Sequence, residues 1–240
     1  MMSLQEVSLV SVSLKQYFYK LKANLGLVNA LIILQIITLF ISFGGVSGMA
    51  SSDGALSFSV KYYSANIAIG VTFAWIFFVA ISLTTKQYKN LDFTFVTNRA
   101  SSNLSNIGFL LSACIFGGVA SGLFGALLRV VMYFAFDRSQ IVMEGFYPAY
   151  ADLLLGMAVA ILYMFLIAAI GYFVGVLTQI NIILAMIIPA VFFVLGLFQT
   201  IFGFFTSKIS LPLFAAQISI ISIVLFGCSI LLSNRMEVRK

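Results

Sequence analysis

Histidine is missing from all 240 residues, and only 8% of the chain is charged. Without imidazole there is no ordinary general base at neutral pH and no His ligand for a metal or haem. Ser–His intramembrane proteolysis and His-nucleophile phosphatase chemistry are thereby excluded. A soluble domain carries roughly 25% charged residues to keep its surface in water; that coat is absent here. Cysteine is scarce too. Cys114 and Cys228 each stand in an apolar run and read as small packing residues. No G-x-x-x-x-G-K-[ST] run is present, so the chain does not hold ATP through a P-loop of its own. What fills the composition instead is 62% hydrophobic residue, with 25 Phe, and a mean hydropathy of +1.13. The class is an integral membrane protein. The net charge of +6 then reads as a topology signal and not as a nucleic-acid surface.

Crossing a bilayer as a helix takes about 20 apolar residues. Runs of that kind cover 25–43, 63–83, 107–128, 153–177, 182–205 and 211–232. Carried on to Phe136, the third run would hold about 30 residues and make about 45 Å, against roughly 30 Å of hydrocarbon. Arg129 fixes its end, because a central Arg costs roughly 2.5–3.5 kcal/mol and belongs at the interface. Only Thr178–Gln179–Ile180–Asn181 parts the fourth and fifth runs. The expected fold is an all-α, single-domain protein of six transmembrane helices. With both termini in the cytoplasm the inner side holds Lys15, Lys20, Lys22, Lys86, Lys89, Arg99, Arg235, Arg239 and Lys240. The outer side then holds Lys61, Arg129, Arg138 and Lys208, and nine against four satisfies the positive-inside rule.

Two segments outside the spans carry information. Val7, Val10, Leu14, Tyr17 and Leu21 repeat at a 3–4–3–4 spacing, one face of a helix. Lys15, Lys20 and Lys22 cluster toward the first span, so 4–23 reads as an interfacial helix whose Lys chains reach headgroup phosphates. A solvated leader is the alternative. The other segment, 85–104, mixes charge, aromatics and cap-type residues over more length than a hairpin needs. Phe93, Phe95 and Val96 are its apolar contact points, and Asn98 and Arg99 its polar ones. Ser101, Ser102, Asn103 and Ser105 are expected to cap the third span. The alternative is an idle linker.

Within the spans, Gly118, Gly122 and Gly125 recur in the third and Gly171 and Gly175 in the fourth, spacings that let helices approach closely. Gln35, Thr38, Asn66, Thr72, Gln199 and Gln217 add polarity, facing either a pathway or a neighbouring helix. All seven carboxylates (Glu6, Asp53, Asp92, Asp137, Glu144, Asp152 and Glu237) fall outside the hydrocarbon. Ion-coupled transporters place a carboxylate or His within it. Uphill transport by this chain therefore needs energy from another subunit.

Six spans, inner termini, a leading interfacial helix and the stretch Leu91-Asp92-Phe93-Thr94-Phe95-Val96-Thr97-Asn98-Arg99-Ala100-Ser101 resemble a type-2 ATP-binding-cassette (ABC) exporter permease, of the small bacterial antimicrobial-peptide export or immunity sort. The resemblance implies that the leader is an elbow helix, with Lys15, Tyr17, Lys20 and Lys22. It implies a coupling helix in 85–104 that docks on an ATPase through Asp92, Phe93, Phe95, Asn98 and Arg99. Asn66, Thr72 and Gln199 would then line a translocation cleft, with Phe198, Phe202 and Phe205 as its outer gate. The implied partners are two ATPase subunits holding ATP and Mg, a second copy of this chain, membrane lipid and an amphipathic peptide or lipid-like cargo. No cofactor, metal or nucleic acid is expected on this chain, and no catalysis. The implied location is a bacterial cytoplasmic membrane. Competing classes are a six-span channel or peptide-sequestering protein without ATPase, a lipid-exporting permease, and a membrane enzyme acting on lipid.

Overall fold

The computed structural model describes residues 9–44, 47–53, 56–62, 65–85, 88, 99–135, 141–142, 150–179, 183 and 210–235. Within these, the apolar runs are helices because in lipid each backbone polar group must bond within its own segment, and no Pro falls beyond a first turn to break a ladder. Helix α1 (Leu9–Ala23) ends at a single residue, Asn24, and α2 (Leu25–Ser42) follows. Next come α3 (Asn66–Thr84), α4 (Arg99–Ala135), α5 (Tyr150–Thr178) and α6 (Leu211–Arg235). Helices α2 to α6 are each long and apolar enough to cross a membrane. The chain is a multi-pass membrane protein, with five such helices among the described residues. The expected run at 182–205 lies outside them apart from Ile183.

The core is built around α3, with Ile76 and Ala80 fully buried, together with Leu110 and Cys114 of α4 and Met164 and Ala168 of α5. Glycines set the spacing. A Cβ on Gly118 of α4 would stand 3.1 Å from the backbone nitrogen of Ile161 in α5. One on Gly171 of α5 would stand 2.8 Å from the Phe77 carbonyl of α3. Backbone cannot give way as a flexible side chain does, so both positions need Gly. Gly122 and Gly175 are also in close contact, with Met157 and with Thr84. Gly125 is not part of the stripe, since its nearest neighbour would be Ala65 at an ordinary 3.6 Å.

The same contacts give directions. Gly118 meets Ile161 and Gly122 meets Met157, so α4 and α5 are antiparallel. Gly171 meets Ala80 and Gly175 meets Thr84, so α3 and α5 run the same way. Tyr163 packs on Phe214 and Tyr172 on Phe226, making α6 parallel to α5 as well. The end where α3 and α5 finish and α4 begins is called the proximal end below.

The opposite, distal end holds a feature the all-α expectation left out. Strands β1 (Ser47–Asp53) and β2 (Leu56–Tyr62) pair antiparallel, from Ser47 opposite Tyr62 to Asp53 opposite Leu56. Strand β3 (Ile141–Val142) adds in parallel at Lys61 and Tyr62. Asp53-Gly54 is a hairpin dipeptide in the sequence, and β2 alternates Leu56, Phe58, Val60 and Tyr62 with polar residues, as a strand does. The β2–β3 pair ties the α2–α3 and α4–α5 connections together at one end of the bundle.

Both ends of the third run move, its far end passing Arg129 to reach Ala135. α4 begins at Arg99, so residues 99–104 belong to a 37-residue helix and not to the connecting loop. At 1.5 Å per residue it is about 55 Å long and outreaches the hydrocarbon. Ser101, Ser102, Asn103 and Ser105 therefore lie inside the helix and do not cap it. The reason is tertiary: a polar partner waits beside them.

Candidate functional site

That partner is α1. Stepping about 100° per residue around its axis separates three faces. Val10, Leu14, Tyr17, Phe18 and Leu21 form an apolar arc, the one seen in the sequence, on which Val10, Leu14 and Phe18 are exposed. Lys15 and Lys22 share a second, exposed arc. Ser13, Gln16 and Lys20 make the third, which is buried. The helix hides its polar side in the protein and offers apolar side chains outward, the reverse of a helix in water. A lipid surroundings accounts for this, because apolar side chains lose nothing by facing acyl chains.

The buried face meets the first turns of α4. The Lys20 ammonium donates to Asn106 Oδ1 at 2.5 Å, to Ser105 Oγ at 2.9 Å and to the Ser102 carbonyl at 3.4 Å. Ser105 donates in turn to the Ser102 carbonyl at 2.8 Å. Asn106 Nδ2 donates to the Tyr172 hydroxyl of α5 at 3.4 Å, and that hydroxyl donates to Asn103 Oδ1 at 2.9 Å. One turn further along, the Tyr17 hydroxyl and Ser112 Oγ lie 2.7 Å apart, and the Tyr17 ring rests against Gly108. A buried ammonium is tolerated only with such acceptors around it, since desolvation alone costs several kcal/mol. The set is not fully satisfied. Both amide atoms of Gln16 and Nδ2 of Asn103 are buried without a partner among the described residues.

Two more bonds close the proximal end. Gln179 Nε2, just past α5, donates to the Thr84 carbonyl that ends α3, at 2.6 Å. Asn24 Nδ2 donates to the Lys20 carbonyl at 3.0 Å and finishes α1. Helices α1, α3, α4 and α5 are thus tied by side-chain polar bonds at the level where the 85–98 segment joins α3 to α4. Tyr88, which with Thr85 is described in that segment, is half-buried against the same core.

The sequence-derived residues fare unequally. Lys15 and Lys22 face outward as expected, whereas Lys20 turns into the protein, because α4 offers it three oxygens that compete with headgroup phosphates. Tyr17 also points into the joint. Arg99 opens α4, while Asp92, Phe93, Phe95 and Asn98 lie outside the described residues, as do Phe198, Gln199, Phe202 and Phe205. Asn66 is exposed at the start of α3. Thr72 is fully buried, donates to the Ala68 carbonyl at 2.7 Å, and sits beside Gly117 on the α3–α4 seam. Gln16, Asn106 and Tyr172 were missed. The signal for them was present in Ser101-Ser102-Asn103-Leu104-Ser105-Asn106, a polar run too long for a cap, and in the i, i+4 pair Gln16 and Lys20.

No cluster of three His, Cys, Asp or Glu able to hold a metal occurs among the described residues. Comparison with protein-family models, with characterised proteins and with solved structures finds no match to the chain.

Proposed function

We propose that the chain is the membrane-spanning subunit of an ATP-driven exporter, resembling the type-2 ABC permeases, in a bacterial cytoplasmic membrane. Its cargo is an amphipathic peptide, and ATP and Mg belong to a separate ATPase. The observation that carries this reading is the polar joint at the proximal end. Lys20 bonds the leading helix α1 to the first turns of α4, and the 85–98 segment leads straight into those turns. A push delivered to that segment by a docked ATPase reaches α1, α4 and, through Tyr172, α5 together. Two such chains then rock between inward- and outward-facing arrangements around a shared cleft.

Six crossings with both termini inside are part of the proposal. Support comes from α5 and α6, which are parallel: parallel neighbours in sequence need one crossing between them, and 182–205 is the apolar run available for it. A Cys at Arg129 is expected to react with an impermeant thiol reagent added outside the cell. Labelling only from the cytoplasm contradicts the orientation.

Docking is tested by Phe95→Ala and Arg99→Ala. Both variants are expected to fold and insert normally while lowering the ATP turnover that the permease elicits from its ATPase. Undiminished turnover in both removes the docking assignment.

A further inference from the structure

We infer that helix α1 is a reversible latch, well solvated in each of two positions. It docks its Ser13–Gln16–Lys20 face on α4, and it releases that face to water while its Leu14–Phe18 face stays in lipid. The device needs no ATPase and stands or falls apart from the proposed transport role.

The order of side chains around α1 is the first argument. Tyr17, Val10, Leu21, Leu14 and Phe18 occupy one continuous arc of about 100° at 100° per residue. Ser11, Lys22, Lys15, Gln16, Lys20 and Ser13 lie around the remainder, interrupted by Tyr19, Val12 and Ala23 and, between Gln16 and Lys20, by Leu9. Once released, α1 is an amphipathic helix with lysines on its watery side, a form that rests stably in a headgroup layer. Its apolar arc already faces outward in the docked position, with Val10, Leu14 and Phe18 exposed. Release therefore leaves that arc in lipid, and Leu9, between Gln16 and Lys20, is the one apolar side chain of the docking face that it turns toward water.

The nature of the docking bonds is the second. Lys20 to Ser105 and Asn106, and Tyr17 to Ser112, are polar contacts that water can replace one for one. The glycine seams of α4 and α5 have no such substitute. Docking also has a standing penalty, because Gln16 and Asn103 Nδ2 are buried without partners among the described residues and become hydrated on release. Lys20 and Gln16, one turn apart on the same face, thus act in opposite directions. The one-residue break at Asn24, capped through its own side chain onto the Lys20 carbonyl, lets α1 end independently of α2.

Opposite signs make the test decisive. The full-length chain carrying Cys114→Ala and Cys228→Ser is placed in phosphatidylcholine–phosphatidylglycerol nanodiscs with Ser13→Cys as reporter. Ser13 is only 4% exposed when α1 is docked. The rate of reaction with a water-soluble maleimide then reports release. Lys20→Met is expected to raise the rate about tenfold, and Gln16→Leu to lower it about tenfold, the size expected for one buried polar group. Equal rates in parent and variants, or a parent that never labels, overturns the latch. If Lys20→Met does not fold, the Gln16→Leu arm decides alone: slower labelling upholds the latch and an unchanged or faster rate overturns it.

Discussion

Helix α4 makes two contacts of opposite kinds. Along its middle it packs Gly117, Gly118 and Gly122 against Met164, Ile161 and Met157 of α5, a stretch held by shape. At its start it meets α1 through the polar groups of Ser105, Asn106 and Ser112, with the Tyr17 ring resting on Gly108 beside them. In lipid, apolar side chains gain nothing by leaving acyl chains for each other, so close backbone approach is what holds a seam shut. Polar bonds hold a seam in a different way, because water at the membrane surface is an alternative partner. The first contact is a fixed spine. The second is a joint.

Substitutions that attack each contact should separate the two. Gly118→Leu or Gly171→Leu is expected to have the largest effect, because the added atoms meet backbone at Ile161 or Phe77. The loss should be about 3 kcal/mol or more, seen as failure to recover monodisperse protein in detergent. Tyr172→Phe comes next, removing the hydroxyl shared by Asn103 and Asn106. It should cost about 1–3 kcal/mol in denaturant unfolding while leaving the glycine seams intact. Trp75→Phe deletes the indole bond to the Leu27 carbonyl between α3 and α2 together with part of a buried ring, for about 1–2 kcal/mol. Gly156→Ala should be the mildest. Nothing lies within 4 Å of that position, so the change removes a helix-weakening residue and raises stability by up to about 1 kcal/mol. A destabilised Gly156→Ala together with a tolerated Gly118→Leu would reverse the assignment of spine and surface.

Much of the membrane body was legible because hydrocarbon imposes one rule on every span. The runs at 25–43, 63–83, 153–177 and 211–232 correspond closely to Leu25–Ser42, Asn66–Thr84, Tyr150–Thr178 and Leu211–Arg235. Gly118 and Gly171 were legible as close-approach points for the same reason. The proximal joint was not, because single-helix periodicity assumes that polar means wet. On α1 that assumption gave the correct apolar arc and the wrong destination for Lys20. On α4 it turned Ser101–Ser105 into caps, since a polar helix start looks the same whether it faces water or another polar helix. Thr72 shows the converse: a hydroxyl in a span bonded to its own backbone says nothing about a pathway. The third strand of the distal sheet escaped because pairing of 61–62 with 141–142 joins segments about 80 residues apart, which no local pattern encodes.

The central claim, that an ATPase drives this chain through its proximal end, is tested most directly by recovering the tagged protein from its native membrane in mild detergent and identifying what co-elutes by mass spectrometry. A soluble Walker-motif ATPase at near one-to-one ratio, lost in Arg99→Ala, is the predicted result. Clean recovery without any ATPase, even after gentle crosslinking, would contradict the account and leave a channel or peptide-sequestering membrane protein in its place.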